Sequence, residues 1–534
     1  MPERVHGPLR ALLAAWLLFG TGTWAFAVAV VVYAFDVGGA GWVAAITAAR
    51  LLPAMAAAPW TGRLLDRVDR ARVAAVGAAL VAAAQLGTAF LMGADAPLIT
   101  IAALAAVAGA AATAPRPALE ALMPALADSP QELTRATAAW SALDNGGFLL
   151  GSGLGGIAIA AVGPAPVVAG GAAVAAWAAL FATRLPATTA IAADEPEEER
   201  GALEETLSGL RALVASSGLR APFALLAGLV LLDGTTEVQL VVLALDDLDL
   251  GEGGPGLLYF FWGLGGIAGS LVLLAALRRR GYGLALALGA LSFGGAVAIT
   301  GSAGVVVALF ALAVAGVGFA MVETAAMAVV PRLADDAVVG RVYALYEVLY
   351  SGAIGIGALI APPLIDWFGT RGSLAFVGAA YVLLGLALWR PLAGLDRGQE
   401  EASRVRELLR GVPFLAPLPL PRLERLVRAA RPLAFPAGES VVELGDPGED
   451  FFVIEEGSVE VVEYGRRQGV GEAFGEIALL QECSRTATVR AATDLRLRAL
   501  SRPAFLAAVG AHDDSRRLAA ATAAEHLARP RVDR

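Results

Sequence analysis

Apolar residues dominate this chain in stretches of about twenty, the length an α-helix needs to cross the hydrocarbon core of a bilayer. Short polar breaks separate them. The stretches start near Leu9, Gly41, Val73, Pro97, Ala136 and Pro166, then near Ala221, Gly256, Gly281, Gly304, Val338 and Arg371. They predict about twelve transmembrane helices in two groups of about six. Past Trp389 the pattern changes. Arg397 to Arg410 is charged and reads as helix, and Leu415 to Arg431 as a second helix. Then come short β-rich runs at Ser440 to Leu444, Phe451 to Glu455, Val459 to Glu463, Thr486 to Arg490 and Leu495 to Leu500. Glycine, aspartate and proline turns separate them, which predicts a small antiparallel β-roll with flanking helices.

The charges sort themselves by side. Arg63, Arg67, Arg70, Arg72, Arg135, Arg278, Arg279, Arg280, Arg332 and Arg341 fall in alternate loops. Asp36, Asp95, Asp246, Asp247, Asp249, Glu252 and Asp366, with only Arg371, fall in the others. Arginine-rich loops stay cytoplasmic, so both termini and the β-roll are expected in the cytoplasm, with the helices in an inner (cytoplasmic) membrane. The apolar run after Arg4 and Arg10 is too long for a signal peptide and reads as the first span.

Composition agrees. The 534 residues are 57% hydrophobic with mean hydropathy +0.67, which excludes an ordinary soluble protein. The net charge of −9 argues against a nucleic-acid partner. A single cysteine, Cys483, leaves no intrachain disulfide. The three histidines (His6, His512, His526) lie outside the spans. With no nucleophile–base cluster and no metal-ligand spacing, an enzyme is disfavoured.

Pro124-Ala125-Leu126-Ala127-Asp128 recurs 207 residues later as Pro331-Arg332-Leu333-Ala334-Asp335, and Arg135 and Arg341 open the spans that follow. Two halves built as parallel repeats are expected. The organisation is then residues 1–190 and 221–392 as the two halves, 191–220 as a cytoplasmic linker, 393–411 as a second linker and 412–534 as the C-terminal domain. In the first linker, residues 194–200 are charged, while Leu203, Leu207, Leu210 and Leu213 recur at helical spacing. That predicts an amphipathic helix joining the halves.

Between the second and third spans lies Gly62-Arg63-Leu64-Leu65-Asp66-Arg67-Val68-Asp69-Arg70-Ala71-Arg72. Glycine-x-x-x-aspartate-arginine at the end of a membrane helix resembles the corresponding loop of the major facilitator superfamily. The resemblance implies a conformational lock, with Gly62 allowing close helix approach and Asp66, Arg67 and Arg70 bridging helix ends. Asp69 stands where the family usually has a second glycine. In the fifth span, Gly147, Gly151, Gly155 and Gly156 resemble the superfamily's antiporter motif, with Ser152 in place of proline. Glycines at this spacing leave a groove for a neighbouring helix. The motif implies export in exchange for protons. Arg116-Pro117-Ala118 with Pro124, and Arg50-Leu51-Leu52-Pro53, resemble the siderophore and multidrug exporter branch.

Ionisable groups inside spans are costly and mark function by default. Asp233 and Glu237 sit four apart on one face of the seventh span. Two neighbouring carboxylates in a low dielectric cannot both ionise easily, which suits a proton-coupling site. Arg50 is the arginine deep in a span and a candidate counter-charge. Asp144, Glu323 and Glu347 lie nearer the cytoplasmic ends and read as gate salt bridges with loop arginines. Trp24, Trp140, Trp262, Tyr259, Phe260 and Phe261 either line a pocket for an amphipathic substrate or pack helices together. Trp42, Trp60, Trp367 and Trp389 read as interface anchors.

The stretch from Phe474 to Val489 (FGEIALLQECSRTATV) closely resembles the phosphate-binding cassette of cyclic nucleotide-binding domains. Gly475 lets the backbone approach a ligand. The turn at Ile477 and Ala478 presents N–H groups to an anion. Arg485 supplies a planar charged fork for a cyclic phosphate. Glu476 can accept from the ribose 2′-hydroxyl. By the resemblance, Ser484 and Thr486 flank the phosphate. The base stays open between cAMP and cGMP. Arg502 to Arg529 reads as hinge and lid helices.

Together these readings describe a proton-coupled exporter of a small amphipathic molecule, regulated by a cyclic nucleotide. Its partners are the lipid bilayer, the substrate, protons and the nucleotide, with dimerisation through the C-terminal domain open. Two alternatives stand beside it: a transporter-like receptor, or an exporter whose C-terminal domain is a ligand-free scaffold.

Overall fold

The computed structural model describes residues 7–186, 202–333, 336–510 and 512–527. The charged segment 194–200, Ala334 and Asp335 of the repeat, and the side chains of Asp66, Leu203, Leu207, Arg278, Arg279 and Arg280 lie outside the described residues. The chain divides into two compact units, Met1–Leu395 and Asp396–Arg534.

The first unit is helical. Its elements are α1 (Gly7–Arg67), α2 (Arg70–Gly93), α3 (Leu98–Ala112), α4 (Pro115–Leu126), α5 (Pro130–Val162) and α6 (Pro164–Ala182). After α7 (Ala202–Ala215) come α8 (Ser217–Val242), α9 (Gly254–Arg280), α10 (Tyr282–Thr300), α11 (Val305–Leu333) and α12 (Asp336–Ala387). Among the described residues, ten helices are long and apolar enough to span a bilayer, α3 and α4 counting as one. Two of them are too long for a single crossing. α1 has 61 residues, about 90 Å at the helical rise and roughly three times the hydrocarbon thickness. It breaks at Gly39 (φ 69°), and α12 breaks at Gly369 (φ 68°). This left-handed backbone is open to glycine without strain. Dividing both helices at these points gives twelve apolar segments, matching the pattern of apolar stretches. The repeat shows in the backbone too: Gly163 (φ 79°, ψ 171°), between α5 and α6, has nearly the conformation of Gly369 (ψ 167°), 206 residues on. Large apolar side chains such as Phe90, Val306, Phe310 and Ile157 point outward, an orientation that lipid, not water, would reward.

The two halves meet through small residues. A Cβ on Gly156 would lie 2.8 Å from the Gly256 Cα, so α5 and α9 touch backbone to backbone. A Cβ on Gly355 would lie 3.0 Å from Leu52, where α12 packs against α1. Linker helix α7 forms as expected. Its Gly209 lies against the Arg341 carbonyl, and Leu213 is buried in the core of the second half.

The second unit opens with the end of α13 (Trp389–Gly411) and α14 (Leu420–Ala429). The segment read as a second linker is therefore one helix, and its Val405 and Leu409 are buried with Phe414, Phe451 and Phe505. Two four-stranded antiparallel sheets follow, built from β1 (Arg431–Phe435), β2 (Ser440–Val442), β3 (Asp450–Glu456), β4 (Val459–Val461), β5 (Arg466–Gln468), β6 (Ala473–Phe474), β7 (Val489–Ala491) and β8 (Leu495–Ser501). Their orders are β1-β8-β3-β6 and β2-β7-β4-β5. Phe452, Ile454, Val459, Phe474, Leu495 and Leu497 form the core of the roll. Helix α15 (Glu476–Leu480) interrupts the strands, and α16 (Arg502–Gly510) and α17 (Asp513–Leu527) close the unit. Three strands escape the sequence pattern. β1 starts inside the run read as helix, β5 is polar throughout, and β6 is two residues long.

Candidate functional site

In the second unit, β6 delivers Gly475 at φ 94°, the left-handed conformation. A Cβ there would sit 2.7 Å from Arg485 Nη1 and 3.0 Å from the Asp450 carbonyl, so geometry and space both require glycine. Glu476 and Arg485 are both buried, 2% and 6% exposed. Arg485 donates from Nη1 to the Gly475 carbonyl (3.2 Å) and from Nη2 to the Asp450 carbonyl (2.7 Å). Its Nε is buried without a partner. Its own backbone is pinned in turn, with N–H donating to the Asp446 carbonyl (2.8 Å). Burial lowers the Arg485 guanidinium from its ordinary value, against the opposing pull of Asp450, Asp446 and Glu476. An arginine held by neutral carbonyls keeps its charge available to an anion.

These groups line one pocket with Ile477, Ala478 and Thr486. Ser484, expected beside the phosphate, is instead exposed and lines a separate surface cavity with Cys483 and Arg502. Both residues lie in irregular backbone between the turn at Gln481–Glu482 and the bend at Thr486–Ala487. Sequence reading missed Tyr464, Arg466, Gln468 and the valines at 442 and 461, which line the pocket beside the cassette. They arrive from β2, β4, β5 and the 3-10 turn between β4 and β5, which only the sheet pairing brings to the cassette.

In the first unit, Arg50 of α1 donates from Nη2 to Glu237 Oε1 of α8 at 3.0 Å, with both side chains largely buried. The candidate counter-charge and one member of the carboxylate pair are thus joined across the halves. Gly109 makes room for this: a Cβ there would lie 1.8 Å from the Arg50 carbonyl. Tyr259 donates to the Glu237 carbonyl (3.1 Å). Asp233 lies one turn away and interacts electrostatically with Glu237 and Glu323.

Toward the arginine-rich end, Arg116 pairs with Glu120 (3.3 Å) and Asp144 (3.7 Å) and lies 5.7 Å over the Trp16 ring. It also acts electrostatically on Glu347 of the other half. Glu323, read as an arginine partner, accepts from the Tyr346 hydroxyl and interacts electrostatically with Arg116. Tyr346 lies on α12 and stacks edge-on with Tyr350.

The loop between the second and third spans is shorter than its composition suggests. Helix α1 runs through Arg67, and only Val68 and Asp69 turn. Asp69 caps α2 by accepting from the Arg72 N–H (2.8 Å), a reason for aspartate there. Arg70 donates to the Ala121 carbonyl of α4 (3.1 Å). Arg67 is exposed. Gly62 does not serve close packing: a Cβ there would meet nothing. The fifth-span glycines do. Cβ atoms at Gly147, Gly151 and Gly155 would lie 3.4, 2.6 and 3.3 Å from the α1 backbone at Gly20, Thr21 and Ala25. Ser152 donates to the Phe148 carbonyl (2.6 Å), so the helix continues where a proline would break it.

The aromatic residues divide. Trp140 stacks on Trp16 at 4.4 Å, and Trp262 packs on Phe293 and Phe319, so both belong to helix packing and not to a pocket. Trp24 meets Phe148 edge-on, and Phe260 meets Phe261. Trp60, Trp367 and Trp389 are exposed near span ends.

Comparison with known proteins completes the picture. Residues 12–280 and 240–437 match the family model of the Major Facilitator Superfamily, and residues 432–512 match that of the Cyclic nucleotide-binding domain. The chain belongs to the major facilitator superfamily and is a multi-pass membrane protein carrying a cyclic nucleotide-binding domain. Among solved structures, the nucleoside transporter NupG shares its fold: TM-score 0.57, 12% identity, covering 72% of this chain and 99% of that one. The C-terminal part is 37% identical over 173 residues to the cAMP-dependent protein kinase regulatory subunit of Schizosaccharomyces pombe, 30% of this chain and 42% of that protein. It is 35% identical over 104 residues to the cGMP-dependent protein kinase egl-4 of Caenorhabditis elegans, 19% of this chain and 13% of that protein. The chain spans less than half the length of these curated relatives.

Proposed function

We propose that this chain is a secondary transporter of the inner membrane, exporting a small amphipathic molecule in exchange for protons under the control of a cyclic nucleotide. The Arg50–Glu237 pair carries the transport half of this reading. It joins the two halves in mid-span at 3.0 Å, where alternating access needs a polar lock that can open. Asp233, one turn from Glu237, carries the coupled proton. Protonation there weakens the field that holds Arg50, and the halves can part. Arg116 with Asp144, Glu347 and the neighbouring Glu323 forms the gate on the arginine-rich side. By the positive-inside argument that side is cytoplasmic, as are both termini and the β-roll. The fifth-span glycines, packed on α1, favour export through the antiporter-like motif.

The regulatory half rests on the Arg485 pocket. The cyclic phosphate docks on Arg485, Gly475, Ile477, Ala478 and Thr486, and Glu476 accepts from the ribose hydroxyl. A ligand that stabilises one state of this domain biases transport only through differential affinity for the transporter's states.

The test is reconstitution with a pH-sensitive dye inside the liposomes. A panel of amphipathic compounds should discharge an imposed pH gradient through the wild-type chain, at a rate changed by adding cyclic nucleotide. Asp233→Asn combined with Glu237→Gln should abolish the discharge. Uphill transport by that double variant on a pH gradient would refute the proton assignment.

A further inference from the structure

The second sheet gives the nucleotide pocket a floor. Val442 of β2, Val489 of β7, Val461 of β4 and Gln468 of β5 line it in the order of the strands. Three valines make an apolar surface fit for a flat purine. The fourth position, on the edge strand, is an amide. Gln468 is 6% exposed, and its Oε1 is buried without a partner. Its Nε2 faces the Ala473 carbonyl at 3.5 Å. The flipped amide would set two acceptors against each other, so Oε1 is the end left without a protein partner. Arg466, on the same strand, is committed: it pairs with Glu472 at 2.7 Å, and Glu472 also accepts from the Gly469 N–H.

A buried acceptor without a donor is costly, and a ligand that supplies the donor is favoured over one that does not. We propose that Gln468 selects the base: its Oε1 accepts a hydrogen bond from the exocyclic 6-amino group of adenine, which makes cAMP the ligand. Guanine carries an oxo group at that position and would bring acceptor to acceptor. This inference rests on the nucleotide-binding reading above. It adds a residue from outside the cassette and a choice between the two bases.

The experiment is calorimetric titration of the detergent-solubilised full chain with cAMP, cGMP and inosine 3′,5′-cyclic monophosphate, whose base has the oxo group but no 2-amino group. Wild type should bind cAMP about tenfold or more tighter than either 6-oxo nucleotide. Gln468→Leu should weaken cAMP alone and bring all three within about threefold of one another. A wild-type preference below about threefold overturns the proposal, and so does a preference that survives Gln468→Leu unchanged. The wild-type comparison of cAMP with the inosine nucleotide needs no variant, so it decides even if Gln468→Leu fails to fold. Absence of binding by all three nucleotides to wild type refutes the nucleotide-binding reading itself, a result distinct from binding without discrimination.

Discussion

Two buried arginines, one in each unit, are held in opposite ways. Arg50 meets a carboxylate at 3.0 Å and is neutralised inside the protein. Arg485 meets two main-chain carbonyls and no carboxylate, while the Nε of each arginine is buried without a partner. On the function proposed above, the same side chain is a lock in the membrane unit and a receptor in the β-roll. The difference lies in the partner: a carboxylate satisfies the charge, whereas a carbonyl orients the fork and leaves the charge for a ligand.

Removing each arginine should break this comparison in a characteristic way. Arg50→Ala leaves Glu237 buried and unpaired, so a loss of about 3–5 kcal/mol is expected. Thermal unfolding in detergent reads it, and adding Glu237→Leu should restore much of the loss. Full stability in Arg50→Ala alone would show that Glu237 finds another partner or sheds its charge. Arg485→Ala should spare the membrane unit and lower nucleotide affinity by about 2–3 kcal/mol, the worth of charge-assisted hydrogen bonds. Unchanged calorimetric binding in that variant would move the phosphate elsewhere in the pocket.

Glycines sharpen the contrast at smaller scale. Gly475→Ala adds a side chain at φ 94° and 2.7 Å from Arg485. It should destabilise the β-roll by about 1–2 kcal/mol and weaken nucleotide binding, measured by thermal unfolding and titration. Gly62→Ala meets open space and should change stability by no more than about 1 kcal/mol, in the stabilising direction if at all. A large loss of transport in Gly62→Ala would mean that this glycine packs closely in another state of the cycle.

Much of the architecture was legible in the residues. The period of apolar stretches, the sorting of arginines to one side and the recurring Pro-x-Leu-Ala-Asp segment all report local, chain-sequential physics, because a bilayer imposes length and charge rules on each helix separately. The cassette was legible for a similar reason. Gly475, Glu476 and Arg485 lie within one short stretch, and the backbone of that stretch alone brings them close. Asp69 was visible as a departure, but its role as a cap emerged only with the N–H of Arg72 beside it.

What remained hidden was set by pairing between distant segments. The Arg50–Glu237 bond spans 187 residues, and nothing in either neighbourhood announces the other. Ser484 and Arg485 are adjacent in sequence yet line different cavities. Gln468 sits in a polar strand with no recognisable pattern. Only the order β2-β7-β4-β5 carries it to the end of a row of valines. Sequence alone determined the run of apolar spans and the place of the nucleotide-binding cassette in the chain. The tertiary structure decided which charges meet and which stay free, because burial and partnership are properties of neighbours in space.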